Sequence, residues 1–576
     1  MKKIFLFIVV FSGFLYTGCD LERLPYTGYT EETVKQDAEG SLDILLNGCY
    51  GQMREWTDVM HRVGEYGGDN MNIRGSSSDP FYDFISLTRR ATSRRLNTFW
   101  NYSYKIIAQT SDVIKIYDTP PTPEVAHQIG EAYYLRGIMY FYLCRGFGRP
   151  YYQSPETNLG VPIINGRPEN ILVDNITLPD RATVKEVYAQ VISDLRNAES
   201  LMSINKAKIY ATKEAAQAML SLVYLYMSGT YENTNMTYAD SSIYYANQVL
   251  ASGRFTMLSR ANFMRMNELT PEQNSEVIFA VKRIASEFTE DDYEEYIGSM
   301  YATVQGIGWG EMYASEKYLE RLRKSGNGNR ANDARWNFIS PQYALTGGER
   351  TPAFRFVTET YNASGQLVAY DYIQQPLEED GGGYYITIND EKYPLTPVDA
   401  ANNRYSIDYQ ALNGPAVKKT YEGDIDYMLL LNRAYPQFWI LKCSLQEGLA
   451  HLHSPMLSRL AEMHLNLAEA YAKKKDFVNA LTHLNIIRNR AVVDGGYPEG
   501  YLTETNALEV IDNERSLELA YEAQRTFDVY RLGRPNDRRY PGPHPDLIVE
   551  PTDPRIVLLI PQDIINAYMG PLTQNP

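Results

Sequence analysis

Between Pro455 and Ala491 the chain reads PMLSRLAEMHLNLAEAYAKKKDFVNALTHLNIIRNRA. Met456, Leu460, Met463, Leu467 and Ala470 recur every three or four residues, and Phe477, Ala480, Leu484, Ile487 and Ala491 do so again after a break. That period commits both stretches to helices with one apolar face each. Lys473, Lys474 and Lys475 suit a helix C-terminus, and Asp476 is placed to cap the helix that follows. Small Ala468 and Ala480 let the two helices approach closely. The same period returns around 97–117, 123–146, 182–202, 212–228 and 237–252, with Pro120, Pro121 and Pro123 punctuating one break.

The 455–491 pair resembles a tetratricopeptide-type hairpin, a class with a repeat of about 34 residues. Residues 212–252 are a looser second example. From roughly 255 to 450 the pattern changes. GIGWG, SGNGN, TGGER and EEDGGGYYITIND are loop and hairpin signals, interleaved with strand-like runs such as EVIFAVKR. The expected fold is therefore mainly α: a tetratricopeptide-like helical-hairpin scaffold with a large loop-rich irregular lobe containing short β-hairpins. The expected divisions are a leader (1–18), a tether (19–35), an N-terminal helical region (36–254) and a C-terminal region (255–576). The last comprises the lobe (255–450) and a closing helical hairpin with its signature (451–576).

The leader has Lys2 and Lys3 before an apolar run, Ile4 to Phe14, too short to span a bilayer. Leu15-Tyr16-Thr17-Gly18-Cys19 matches the lipobox of bacterial lipoproteins, which implies a mature chain starting at lipidated Cys19. The other reading is an ordinary signal peptide with a chance cysteine. Acyl chains anchor through about 0.8 kcal/mol per buried CH₂. Removing the two leader lysines takes the formal charge from −16 to −18, which argues against nucleic acid as a partner. Cys49, Cys144 and Cys443, widely spaced, form no disulfide framework and read as small buried hydrophobes. Tyrosine, at 47 against 19 Phe and 5 Trp, suits half-wet surfaces and amphipathic helix packing alike.

Three blocks together resemble the SusD/RagB family of outer-membrane nutrient-binding lipoproteins. In EAYYLRGIMYFYLCRGFGRP the match lies on Arg136, Phe147, Gly148 and Pro150, with Gly137 and Arg149 departing from the family pattern. In LSRLAEMHLNLAEAYA it lies on Arg459, Glu462, Asn466, Glu469 and Ala470. In NERSLELAYEAQRTFDVYRLG it lies on Glu514, Arg515, Glu518, Leu519, Glu522, Arg525, Asp528 and Arg531. There Ser516 replaces a usual arginine and Ala523 a usual glycine. The terminal Asn575-Pro576 also fits. The charges of the third block lie at helical spacings, which reads as a structural ion-pair ladder on one helix. The resemblance implies a surface-exposed, lipid-anchored outer-membrane protein that serves a SusC-like TonB-dependent transporter as a lid. It would capture oligosaccharides or polysaccharide or, in some members, peptides. Asp20 and Glu22 are in keeping with surface-export signals of such lipoproteins.

Two segments offer the aromatic platforms and planar polar groups that sugars need. The first is VGEYGGDNMNIRGSSSDPFYDF, with Tyr66, Asp69, Asn70, Asn72, Arg74 and Tyr82. The second is YEEYIGSMYATVQGIGWGEMY, with Tyr296, Tyr301, Trp309 and Tyr313. Both lie where the family builds its ligand face, by chain position. The alternative is that these aromatics pin long loops to the scaffold. Trp100 and Trp439 read as core; Trp56 and Trp336 are open.

For catalysis, no G-x-S-x-G, H-E-x-x-H or C-x-x-C occurs, and His451 with His453 lacks a third metal ligand. The acidic run Glu290, Asp291, Asp292, Glu294 and Glu295 leaves a structural calcium open; no cofactor is otherwise expected. A non-enzymatic binding protein is the leading expectation. A helical-repeat scaffold for protein partners and a surface glycosidase are the readings from other classes.

Overall fold

The computed structural model describes residues 31–73, 81–166, 177–289, 296–544 and 547–576. The leader, Cys19, Arg74 and the acidic run 290–295 lie outside them. The expected helices are present: Arg94–Lys115, Pro123–Phe147, Val184–Leu201, Lys213–Met227 and Met236–Ala251. All but the Arg94–Lys115 helix are capped at the N-terminus by side chains, Thr122 on Val125 N, Thr212 on Ala215 N, Asn235 on Tyr238 N and a Thr183–Glu186 capping box, which satisfies otherwise orphaned amides. An earlier helix, Ala38–Glu65, also forms, with Leu42, Leu46, Cys49, Met53 and Trp56 on its buried side. The short helix Glu31–Gln36 leads into it, so the end of the expected tether is already helical.

Successive helices pack on one another, 123–147 with 184–201 and 213–227 with 236–251. The C-terminal hairpin comprises Leu460–Lys473 and Phe477–Ala491, and Asp476 caps the second helix by accepting from Asn479 N. Met456 belongs to a strand, Met456–Arg459, that pairs with Val277–Ala280; the first apolar stripe therefore begins one turn later than its spacing suggested. The 460–473 helix packs on the 236–251 helix, so the end of the chain closes on the N-terminal repeats.

The lobe is more regular than its turn signals implied. A five-stranded antiparallel sheet runs in the order Thr396–Asp399, Arg404–Tyr409, Lys419–Tyr427, Pro352–Tyr361, Leu367–Pro376. Phe354, Phe356, Ile386, Ile407 and Tyr421 form its separate small core. Gly423 allows two strands to meet, since a Cβ there would lie 2.2 Å from the Arg355 carbonyl.

The closing signature is structural, but not as a ladder on one helix. The helix breaks after Glu518 and restarts at Arg525, with Tyr521 and Ala523 left-handed at φ +63° and +61°. Ala523, where the family has glycine, carries that strain itself, and its carbonyl sits where a Cβ on Gly64 would clash. Most of the charges therefore pair across elements. Arg459 reaches Glu518 at 2.7 Å, Glu522 at 2.8 Å and Glu276 at 3.1 Å, and Arg515 reaches Asp528 at 2.7 Å. Arg531 binds Glu469 bidentately and keeps one in-helix partner, Asp528, at 2.7 Å. All these side chains but that of Glu522, which is 9% exposed, are buried, where removing one partner strands the other.

The three cysteines are buried and free, and burial pushes the Cys49 and Cys144 thiols up to about 12. Trp56 and Trp100 are core, the Trp56 indole donating to Ser103 at 2.9 Å. No helix among the described residues is long and apolar enough to cross a membrane.

Candidate functional site

The two aromatic segments meet. Met71–Ile73 pairs antiparallel with Met312–Ala314, placing Ile73 opposite Met312. Ile73 is thus paired one residue past Glu311, on the segment that carries Trp309. Most of the candidate side chains nevertheless point inward. Tyr66 and Tyr301 are buried, stack edge-on at 6.2 Å, and the Tyr301 hydroxyl bonds His61 at 2.8 Å. Tyr296 is 8% exposed and stacks on Phe288 at 5.0 Å. Tyr313 is buried and bonds the Asn432 amide at 2.9 Å.

The polar candidates are buried for an electrostatic reason. Asp69 accepts from Arg525 and Arg321, each at 2.6 Å, and pairs with Lys317 at 2.8 Å. Burial opposes its ionisation, but Arg321, Arg525 and Lys317 outweigh it and hold the carboxyl well below the usual range. Asn70 accepts from Ser516 at 2.8 Å, and its carbonyl accepts from Tyr521 at 3.1 Å. Asn72 donates to the Pro541 carbonyl. As placed, Tyr66, Asp69, Asn70, Asn72, Tyr296, Tyr301 and Tyr313 are buried and tie the loops to the scaffold, the alternative the aromatic pattern had left open.

Trp309 differs: it is 47% exposed. Its loop is held firmly all the same. Trp309 N donates to the Ser299 carbonyl at 2.7 Å, Glu311 N to Met300 at 2.9 Å, and Val304 and Ile307 bond each other's backbones. Gly308, at φ +104°, is required, because a Cβ would lie 2.4 Å from the Ala302 carbonyl and 2.5 Å from His451 Nε2. His451 pins the loop: Nε2 lies 2.9 Å from the Ile307 carbonyl and Nδ1 3.1 Å from the Ser444 hydroxyl. Burial lowers its pKa, so a neutral ring donates from Nε2 and accepts at Nδ1. That loop-pinning role falls to His451.

A hairpin that nothing in the sequence flagged completes the rim. Leu431–Asn432 pairs with Tyr435–Pro436, and its two turn residues, Arg433 and Ala434, are both left-handed at φ +49° and +70°. Such turns favour Asn-Gly, and Asn-Arg-Ala-Tyr carries no such signal. Tyr435 and Tyr82 are both half-buried, and burial, then the charges of Asp371 and Tyr82, raise the Tyr435 pKa. The rim is thus Trp309 on a pinned loop together with the strained hairpin, carrying Tyr435, that Asn432 ties to Tyr313. Exposed and half-exposed aromatic faces of this kind stack on sugar rings or apolar side chains.

Comparison with known proteins agrees with the architecture. Residues 22–225 match a family model described as SusD-like, starch-binding associating with outer membrane, and residues 275–553 match the SusD family. A curated SusD-like protein of Bacteroides ovatus is 26% identical over 233 residues, 39% of each chain, so the match spans well under half of that relative. A SusD superfamily crystal structure from Bacteroides thetaiotaomicron superposes with a TM-score of 0.66 at 23% identity, covering 93% of this chain and 99% of that one. A Bacteroides vulgatus structure, described as a putative sugar binding protein, gives 0.65 at 20% identity over 93% and 98%; likeness at these identities speaks to fold. On the two family matches, which between them take in most of the sequence, the chain belongs to the SusD/RagB family.

Proposed function

We propose that the protein captures oligosaccharide or polysaccharide on the Trp309 rim and hands it to a SusC-like TonB-dependent transporter, held at the cell surface by lipidated Cys19. The family description ties such chains to starch binding and the outer membrane, and relatives with a described activity are sugar- or carbohydrate-binding proteins, not enzymes. The observation that carries the reading is Trp309: a large aromatic left in solvent on a loop whose backbone is bonded, glycine-shaped and pinned by His451. A ring held in place stacks on a sugar without first being ordered, which lowers the entropic cost of binding.

The test is titration of residues 20–576 with an array of polysaccharides, oligosaccharides and peptides, repeated on Trp309→Ala. Glycan binding weakened at least tenfold in the variant, at unchanged melting temperature, supports the site. Unaltered glycan affinity moves the site elsewhere, and binding of peptides alone changes the cargo. Tyr296 does not belong in the test, since its stacking on Phe288 makes its loss a packing defect. Co-purification with the transporter checks delivery separately.

A further inference from the structure

Two small clefts, of about 30 Å³ and 40 Å³, share a wall of Arg145, Phe527, Tyr530 and Ile556. The smaller is completed by Arg149, Arg531, Tyr188 and Tyr226, and no acidic side chain lines it. The larger adds Arg89, Arg90 and Arg555 against a single lining acid, Asp83. In a chain of net charge −16, six lining arginines against one lining carboxylate make a distinctly positive surface. Neither Trp309 nor Tyr435 lines either cleft.

Counter-ions are unevenly shared among these arginines. Arg531 is held by Glu469 and Asp528, Arg555 by Asp553 at 2.7 Å, and Arg90 by Asp83 at 3.4 Å. Arg89 donates to a Pro576 oxygen. Arg145 and Arg149 make no ion pair among the described residues. Arg145, only 7% exposed, donates Nη1 to the Tyr226 hydroxyl at 3.1 Å and to Gln524 Oε1 at 3.0 Å. Its guanidinium stacks on Tyr142 at 4.2 Å and Phe527 at 4.3 Å. Aromatic faces and neutral acceptors ease the burial of a cation without cancelling its charge. The Arg145 Nε and Nη2 are sealed from solvent, so this residue acts on the clefts through its field. Half-buried Arg149 spends Nη1 on the Thr552 and Asp553 carbonyls, each at 3.0 Å. Its Nε and Nη2 make no hydrogen bond among the described residues and keep solvent contact, as does the unbonded Tyr188 hydroxyl.

A buried charge without a counter-ion is costly, and an anion in the smaller cleft would supply one. An apolar group would leave the charge as it is, and a cation would add to it. Each cleft has room for about two to four waters, which admits one oxyanion group and excludes a sugar ring. The planar arginine fork matches carboxylate and sulfate. Two such clefts with a common wall suit a ligand that carries oxyanions in series, which a free ion does not. We infer that this arginine face binds the carboxylate or sulfate groups of an acidic polysaccharide, one of them seated between Arg149 and the Tyr188 hydroxyl. The assignment rests on the glycan reading of the protein. It narrows the cargo to acidic polymer and gives that polymer a second contact apart from the Trp309 rim.

The test uses residues 20–576, which include every residue of the described fold, and matched polymers read by calorimetry at low salt. The pairs are polygalacturonate with its methyl ester and dextran sulfate with dextran; sodium sulfate and polyglutamate are the further probes. At least one acidic polymer is expected to bind at least tenfold more tightly than its uncharged partner, with a preference that falls as salt rises. Arg149→Gln should abolish that preference at an unchanged melting temperature. Tyr188→Phe, which removes one hydroxyl and keeps the ring, should weaken it. No preference in either pair, or a preference that both variants leave intact, overturns the inference. Polyglutamate binding as tightly as the better acidic polymer overturns it by making the partner a protein. Sulfate binding without a polymer preference overturns it by leaving a free-ion site. If uncharged polymer still binds in a Trp309-dependent way in any of those cases, the proposed function stands while the arginine face falls. Acidic polymer bound in an Arg149-dependent way, with Trp309→Ala without effect, gives the converse.

Discussion

Two stretches of the chain look alike on paper and behave oppositely in the fold. Residues 66–72 and 302–311 are both short, glycine-bearing and rich in polar or aromatic groups. The first is swallowed. Asp69 carries a charge that Arg321, Arg525 and Lys317 neutralise, and Asn70 meets Ser516 and Tyr521. The second satisfies its amides on its own backbone and on His451, which frees its largest side chain to stay in water. The comparison teaches that charge complementarity to a distant element, more than local composition, decides which polar loop is interior.

The sharpest way to break the comparison is Asp69→Ala. It leaves Arg525 and Arg321 short of a partner in a buried setting, with an expected loss of about 3–5 kcal/mol, read as a large drop in the urea midpoint. A drop no larger than that of a surface substitution would mean the 66–72 segment is not held by charge. Acid tests the whole interior. All seven histidines are held below their ordinary value, chiefly by burial. A depressed histidine keeps the folded state from taking up a proton that the unfolded chain accepts, so stability is lost as pH falls below about 6.5. Glu65 and Glu462, raised to about 7 mainly by burial, act the other way, gaining stability as pH falls from about 7 to about 4.5. Asp83, Glu131, Asp194 and Glu316 are raised by burial too, but with His61 and His544 held well below their ordinary value and His127, His453 and His464 lowered to about 4 the histidines outweigh them, and the melting temperature is expected to decline from pH 6.5 to 4. Below about 4 it should decline faster, as carboxylates held low, such as Asp69 and Asp528, begin to protonate. A flat profile from pH 7 to 4 would contradict this balance.

His451→Ala should cost about 1–3 kcal/mol by orphaning the Ile307 carbonyl and Ser444, and should also weaken glycan binding if a pinned loop matters. Ala523→Gly should gain about 1 kcal/mol by relieving a left-handed alanine, provided the added backbone freedom of the unfolded chain does not cancel it; calorimetry decides. Trp309→Ala sits at the small end for stability, within about 0.5 kcal/mol, while carrying the largest expected effect on binding.

What was legible in the sequence follows the same division. Helices with a 3.6-residue apolar period and a capping Thr, Asn or Asp could be placed within a few residues, because both signals are local. The long strands Pro352–Tyr361 and Leu367–Pro376 were not, since PAFRFVTETY and LVAYDYIQQP bury their faces only against one another and the small core of the lobe. Trp309 could be singled out only as one of four aromatics with Tyr296, Tyr301 and Tyr313, and its exposure was not legible in the sequence. The inward turn of Asp69 was not legible either, because its arginine stands 456 residues away. The 431–436 hairpin was invisible for a different reason: it adopts a turn that its residues disfavour.

That distance between Asp69 and Arg525 has a consequence for how the molecule is made. A ribosome must add most of the chain after Asp69 before its counter-ion exists, and the carboxylate cannot be buried cheaply until then. The first helices therefore have no finished interior to close upon while the rest is still emerging. Late completion would suit the proposed export: the polypeptide stays open enough to be threaded through a membrane, and locks only once Arg525 has arrived on the far side.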